Sequence, residues 1–280
     1  MSSINRCEVA GERVLAEKGI TSLPVDVIKL ATDARIMVCP FPEGQAGNGF
    51  AGMLLHRGNE FGIFYSTKIS HEGFQRFTIA HELGHYFLEG HPEAVFDANG
   101  VHKSRDPFSS NDKYEKQADS FAVGLLMPSN LCKAVTRQYD DGLAAIIALA
   151  DACNTSLMSS AIRYTDLTSG KIAIIVSANG QVLFSSVSNA LRENGFFVER
   201  GMRLPRGSLS LQCSNDSHFI LAANNDEDDS DLSYWSNYKT CLCSEQVKGL
   251  GMTRKILTIL VPHVQDEEDE EEYDDEPRFK

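Results

Sequence analysis

Two histidines four residues apart flank an acid in Arg76-Phe77-Thr78-Ile79-Ala80-His81-Glu82-Leu83-Gly84-His85. No Pro interrupts residues 71–90, and apolar residues recur at Phe74, Phe77, Ala80, Leu83 and Phe87, a spacing that predicts a helix. On it, His81 and His85 lie one turn apart on the same face, with β-carbons about 6 Å apart. Two imidazoles so placed can each reach one Zn²⁺ at roughly 2.0–2.1 Å. Glu82 lies about 100° round the helix from His81, where it can face a water on the ion instead of the ion itself. A Lewis acid, a water of lowered pKa and a carboxylate to take its proton are what a hydrolase needs.

The competing reading is that a five-residue pattern arises by chance and that histidines on an apolar helix are core residues. Context weighs against it. Glu82 is the only acid between Arg76 and Glu89, so the helix is apolar almost all round and is expected to be buried. A buried carboxylate is costly unless it has a partner or a task.

A third ligand is expected from Glu115, in Asp112-Lys-Tyr-Glu115-Lys-Gln-Ala-Asp119-Ser-Phe-Ala-Val-Gly-Leu-Leu-Met-Pro128. Ala118, Phe121, Ala122, Leu125 and Leu126 give this segment a helical apolar face, and Pro128 stops it. Asp119, one turn beyond Glu115, is placed to accept the free N–H of a ligating histidine. Against this stands a capping role: Asp112 followed by Glu115 three residues on resembles a capping box.

Taken together, residues 76–85 and the run Glu115-x-x-Ala-Asp-x-Phe-Ala-x-x-Leu-Leu-Met-Pro128 resemble the ImmA/IrrE family of zinc metallopeptidases. The resemblance extends over residues 5–165, and its specific part lies between Arg76 and Pro128. It implies an enzyme of the kind that cleaves helix-turn-helix repressors. By position, His81, His85 and Glu115 would hold one Zn²⁺ per chain and Glu82 would be the catalytic base.

The 280 residues suffice for one large domain or two smaller ones, and a 42% hydrophobic content is ordinary for a soluble protein. The start, Met-Ser-Ser-Ile-Asn-Arg-Cys, has no apolar h-region, and no apolar run reaches membrane-span length. Seven scattered cysteines without zinc-finger spacing point to reduced thiols, and with them to a cytoplasmic location. Cys241 and Cys243 are expected on one face of a strand, as packing. The net charge of −13 is concentrated at the end: residues 266–280 hold ten acids and two bases. This tail is expected to be disordered. It serves for solvation or, alternatively, shields a basic partner. No basic patch supports binding to nucleic acid, and no membrane is expected.

Residues 4–18 read as a helix with Ile4, Cys7, Ala10, Val14 and Leu15 on its apolar stripe. Pro24 suits the first turn of a second helix, followed by a strand at 35–39 and a flexible loop through Gly44, Gly47 and Gly49. Runs at 50–56 and 60–65 form a hairpin, and the second run is the candidate sheet edge for a peptide substrate. Residues 90–112, with His91, His102, Arg105 and Asp106, read as a loop. His102 or Tyr114 is the nominee to stabilise an oxyanion, the alternative being a solvated side chain. Helices are expected at 129–139, 143–153 and 156–167. The last two resemble a helix-turn-helix, but Arg163 alone on the second makes packing the better reading.

From Lys171 strands take over: 171–176 and 181–184 around Asn179-Gly180, then 218–221, 232–242 and 255–261. Asp226–Asp231 reads as a solvated turn, with calcium as a lesser alternative. The fold class that results is α+β. A zincin-like peptidase domain over 1–168, of helices with a small antiparallel sheet, precedes a smaller β-rich domain over 170–264 and an acidic tail over 265–280. Relatives can carry a sensor module of the GAF kind at this position, though no motif here identifies one. The function expected is a zinc-dependent endopeptidase acting on a protein substrate, a DNA-binding repressor. The alternative is a non-enzymatic repressor- or antitoxin-binding protein with a structural zinc. A third reading, compatible with the peptidase, has the β-rich domain sense a small molecule and gate cleavage.

Overall fold

A computed structural model describes residues 3–41, 49–68, 71–105 and 112–263. Gly44 and Gly47 of the glycine loop, Asp106 and the acidic tail lie outside them. The chain divides into two compact units, Met1–Gly170 and Lys171–Lys280.

The first unit runs α1 (Ser3–Glu17), α2 (Val27–Asp33), β1 (Ile36–Pro40), β2 (Phe50–Arg57), β3 (Glu60–Tyr65), α3 (Glu72–Phe87), α4 (His91–Val95), β4 (Val101–Arg105), α5 (Lys113–Leu126), α6 (Ser129–Thr136), α7 (Leu143–Cys153) and α8 (Leu157–Leu167). Pro24 precedes α2 instead of entering it, because the Asp26 carboxylate caps the helix by accepting from the Lys29 N–H at 2.8 Å. Residues 90–112 are more than a loop: α4 and β4 lie within them.

The sheet order is β1-β3-β2-β4, antiparallel except that β1 runs parallel to β3. This moves the candidate substrate edge. β3 is interior, with its backbone groups committed to β1 on one side and β2 on the other, so it has no edge to offer. The edge nearer the motif helix is β4, whose His102 pairs with Leu54 of β2.

Two helix crossings use glycine where backbones approach closely. A Cβ at Gly11 of α1 would stand 2.5 Å from the Phe121 carbonyl oxygen, and one at Gly124 of α5 would collide with the Glu8 carbonyl. Where α3 crosses α5, a Cβ at Gly84 would stand 3.1 Å from the Ala118 Cα. The glycine of the His-Glu-Leu-Gly-His sequence therefore sets how near the two helices lie. On α8, Arg163 is buried. It donates to Glu8 Oε1 at 2.5 Å, the Met127 carbonyl at 2.9 Å and Ser129 Oγ at 3.1 Å. The one cation on that helix is a clasp to α1 and α6, which fits the packing reading.

The second unit holds β5 (Ala173–Ala178), β6 (Gln181–Val187), α9 (Asn189–Glu193), α10 (Leu209–Asn215), α11 (Ser217–Leu221), β7 (Asn225–Asp231), β8 (Leu242–Gly249) and β9 (Ile256–Pro262). Its antiparallel sheet has the order β6-β5-β9-β8-β7. The Asn179-Gly180 turn joins β5 to β6 with φ of 52° and 72°, the signs a two-residue hairpin requires. Trp235, Phe196, Val247 and Cys243 pack in one core, with Cys241 beside it. All seven cysteines are free thiols.

Three expectations fail here. His218–Leu221 is helical, not extended, because Asp216 caps α11 by accepting from the His218 and Phe219 N–H groups. Leu232–Tyr234 is a 3₁₀ turn, with Asp231 accepting from the Ser233 N–H, and the strand begins only at Leu242. The acids at 226–231 belong to edge strand β7 and not to a turn. Glu227 there accepts from Ser244 and Gln246 of β8, and the exposed charges blunt the sheet edge. These acids do not converge on a cation among the described residues.

Candidate metal centre

From Phe77 to His85 every residue of α3 is buried, which brings the two motif histidines inside. Their Nε2 atoms stand 3.1 Å apart. Glu115, on the first turn of α5, places Oε2 3.3 Å from His81 Nε2 and Oε1 3.4 Å from His85 Nε2. From β4, His102 Nε2 lies 3.2 Å from Glu115 Oε1. His81, His85, His102 and Glu115 thus offer four ligand atoms within 4.8 Å of one another. Ligands bound at about 2.0–2.1 Å around a tetrahedral ion stand roughly 3.3 Å apart, so the spacing and the donor chemistry both suit a metal ion.

Further side chains fix the rings. Asp119 Oδ1 lies 2.9 Å from His81 Nδ1, which leaves Nε2 turned to the centre. His91 Nδ1 lies 3.2 Å from His85 Nδ1, and His91 Nε2 lies 3.2 Å from Gln117 Oε1. One tautomer satisfies both contacts. His91 donates to Gln117 through Nε2–H and accepts the Nδ1–H of His85, whose Nε2 lone pair is then free for the metal. Substituting His91 by Ala should therefore weaken Zn²⁺ affinity about 10- to 100-fold while leaving all four donors in place. Competition against a chromophoric chelator measures it, and wild-type affinity in the variant refutes the relay.

Glu82 is wholly buried, and neither carboxylate oxygen has a hydrogen-bond partner. The Ser104 hydroxyl, 3.2 Å from His102 Nε2, is the polar group near enough to donate to the Glu82 carboxylate and temper its charge. The carboxylate lies against Gly52 of β2, where a Cβ would stand 2.7 Å from Oε1. Burial pushes the Glu82 pKa up, against the pull of His81 and His102.

The rest of the centre is strongly coupled. Burial would lower His81, but Asp119 and Glu115 outweigh it and lift its pKa to about 10. Burial takes His85 down to about 3, with Glu115 opposing. For Glu115, burial is outweighed by the imidazoles of His102, His81 and His85, which hold the carboxyl well below its usual range.

The structure brings His81, His85, Glu115 and His102 together, with Asp119 behind His81 and Glu82 alongside. The ring of Tyr114, the other nominee for the oxyanion, packs edge-on against His91 at 5.1 Å, with the Lys113 ammonium 5.7 Å from its centroid. Sequence reasoning assigned no role to His91, Gln117 or Gly52. His91 lay in plain view six residues beyond His85, but the other two gave no signal.

Residues 44–165 match the family model described as Peptidase_M78, the IrrE N-terminal-like domain. No curated protein matches the chain. Among solved structures, a Mycobacterium tuberculosis transcriptional regulator has a similar fold, with a TM-score of 0.57 at 13% identity over 92% of this chain and 76% of that one. The stretch similar to the IrrE N-terminal-like domain, residues 44–165, contains all four donors of the centre.

Proposed function

We propose that the chain is a zinc-dependent endopeptidase, with a helix-turn-helix repressor as its substrate, so that cleavage relieves repression. The observation that carries the reading is Glu82: a fully buried carboxylate beside four convergent metal donors, with no ion pair among the described residues and only the Ser104 hydroxyl near it. Such a group is a liability in a merely structural site and a necessity in a hydrolytic one. His81, His85 and Glu115 would hold the ion, which when bound polarises the scissile carbonyl and lowers the pKa of water. Glu82 takes the proton of the attacking water and passes it to the leaving amine. Asp119 and His91 keep the two imidazoles in their ligating orientation. His102 aims a ring nitrogen at the same centre and stabilises the oxyanion. β4 ends the sheet, and among the described residues no strand pairs with its far side. An extended substrate segment can add there, next to His102.

One observation favours a second reading. His102 is a fourth donor within the same cluster, and four protein ligands close a structural zinc site. The test of function is incubation of the metal-loaded chain with the repressor encoded beside its gene, with and without chelator. Discrete fragments that vanish with chelator are expected. An intact repressor in both arms would overturn the peptidase reading.

We further propose that residues 1–168 fold by themselves, because every residue of the centre precedes Pro128 and the first compact unit ends at Gly170. That fragment should be soluble, bind zinc and retain activity on a flexible peptide. An insoluble or metal-free fragment would mean that the β-rich unit completes the first one.

A further inference from the structure

The second unit contains a cavity of about 190 Å³ beside the β5–β6 turn, between that turn, the α10–α11 junction and the start of β9. Ser177 is among its lining residues, where a register shift in β5 follows Val176. This serine is fully buried and its hydroxyl has no hydrogen-bond partner. Leaving a buried hydroxyl unsatisfied is unfavourable, and hydroxyls so placed call for a ligand or water.

At the mouth stands Arg254, whose guanidinium forms no ion pair or hydrogen bond among the described residues. Its backbone is left-handed, with φ of 54°, a conformation in which glycine or asparagine would be less strained than arginine. Asn179 and Ser217 add polar side chains to the wall. No acid lines the cavity. Asp216, the nearest in the chain, is committed to capping α11. Ile220 and Leu221 supply an apolar side.

We propose that this cavity binds a small organic anion, its carboxylate or phosphate held by Arg254 with Ser177 and Ser217, and its short apolar part against Ile220 and Leu221. Guanidinium and hydroxyl donors without a competing acid select negative charge, and the volume limits the guest to a few carbons. The site goes beyond the peptidase reading and does not depend on it.

Calorimetric titration of the full-length chain with pentanoate, inorganic phosphate and uncharged pentanamide tests the proposal. Either anion should bind with a dissociation constant below about 1 mM, and pentanamide at least about 10-fold more weakly. Preference for pentanoate would identify the guest as a carboxylate, and preference for phosphate as a phosphate ester. Arg254→Asn removes the charge but suits the left-handed backbone, so it should weaken binding about 10-fold with the fold intact. Ser177→Ala should weaken it several-fold while leaving the ligand-free melting temperature unchanged or higher, because an unsatisfied hydroxyl is lost. Absence of binding by both anions, or wild-type affinity in both variants, would overturn the proposal. So would a fall in the melting temperature of Ser177→Ala, which would make the hydroxyl a structural group.

Discussion

Glu82→Gln should keep its metal and lose turnover by about 10²-fold or more, the span expected when a general base is removed. The amide matches the carboxylate in shape and fills the same space against Gly52, so nothing in the packing changes. It also replaces a buried group that resists ionisation with a neutral one, so the metal-free variant should be at least as stable as the parent. Metal analysis, thermal unfolding and cleavage rates, taken together, separate the roles. Near-parental turnover would remove Glu82 from the chemistry. Loss of metal would instead place it among the ligands.

His81→Ala should empty the centre. It removes one donor, deprives Asp119 of its imidazole and leaves Glu115 facing only His85 and His102. The loss in Zn²⁺ affinity should exceed the roughly 100-fold ceiling expected for an outlying partner such as His91, and turnover should vanish with it. His102→Ala then decides between the open and closed sites. If His102 only stabilises the oxyanion, the variant keeps one zinc per chain and loses about 10²- to 10³-fold in rate. If it closes the coordination sphere, the variant loses zinc as His81→Ala does, and the chain is a zinc-stabilised binding protein.

The helices of the centre were legible because their signals are local. The i, i+4 histidines and the apolar faces of α3 and α5 need no knowledge of distant residues. His102 was nominated for a different task, since Val101–Arg105 has no apolar alternation and β4 is a strand only because β2 pairs with it. The same non-locality misplaced the substrate edge. That β1 would add in parallel along β3 cannot be read from a hairpin pattern. In the second unit the Asn179-Gly180 hairpin was plain, whereas His218–Leu221 satisfied a strand pattern and the deciding signal was the Asp216 cap. The acids of β7 resembled a turn because edge strands tolerate charge on both faces, which no composition rule for interior strands anticipates.

The contact of Gly84 with Ala118 bears on which ion the centre accepts. Zinc–oxygen bonds of about 2.0–2.2 Å and calcium–oxygen bonds of about 2.3–2.6 Å differ by only a few tenths of an ångström. The separation of α3 from α5 fixes how far the Glu115 carboxylate stands from the two motif histidines. A single methyl at position 84, 3.1 Å from Ala118, would part the helices by a similar increment. With three imidazoles among the donors, ligand chemistry already disfavours calcium, and the affinity for a smaller ion would depend on a residue that never touches it.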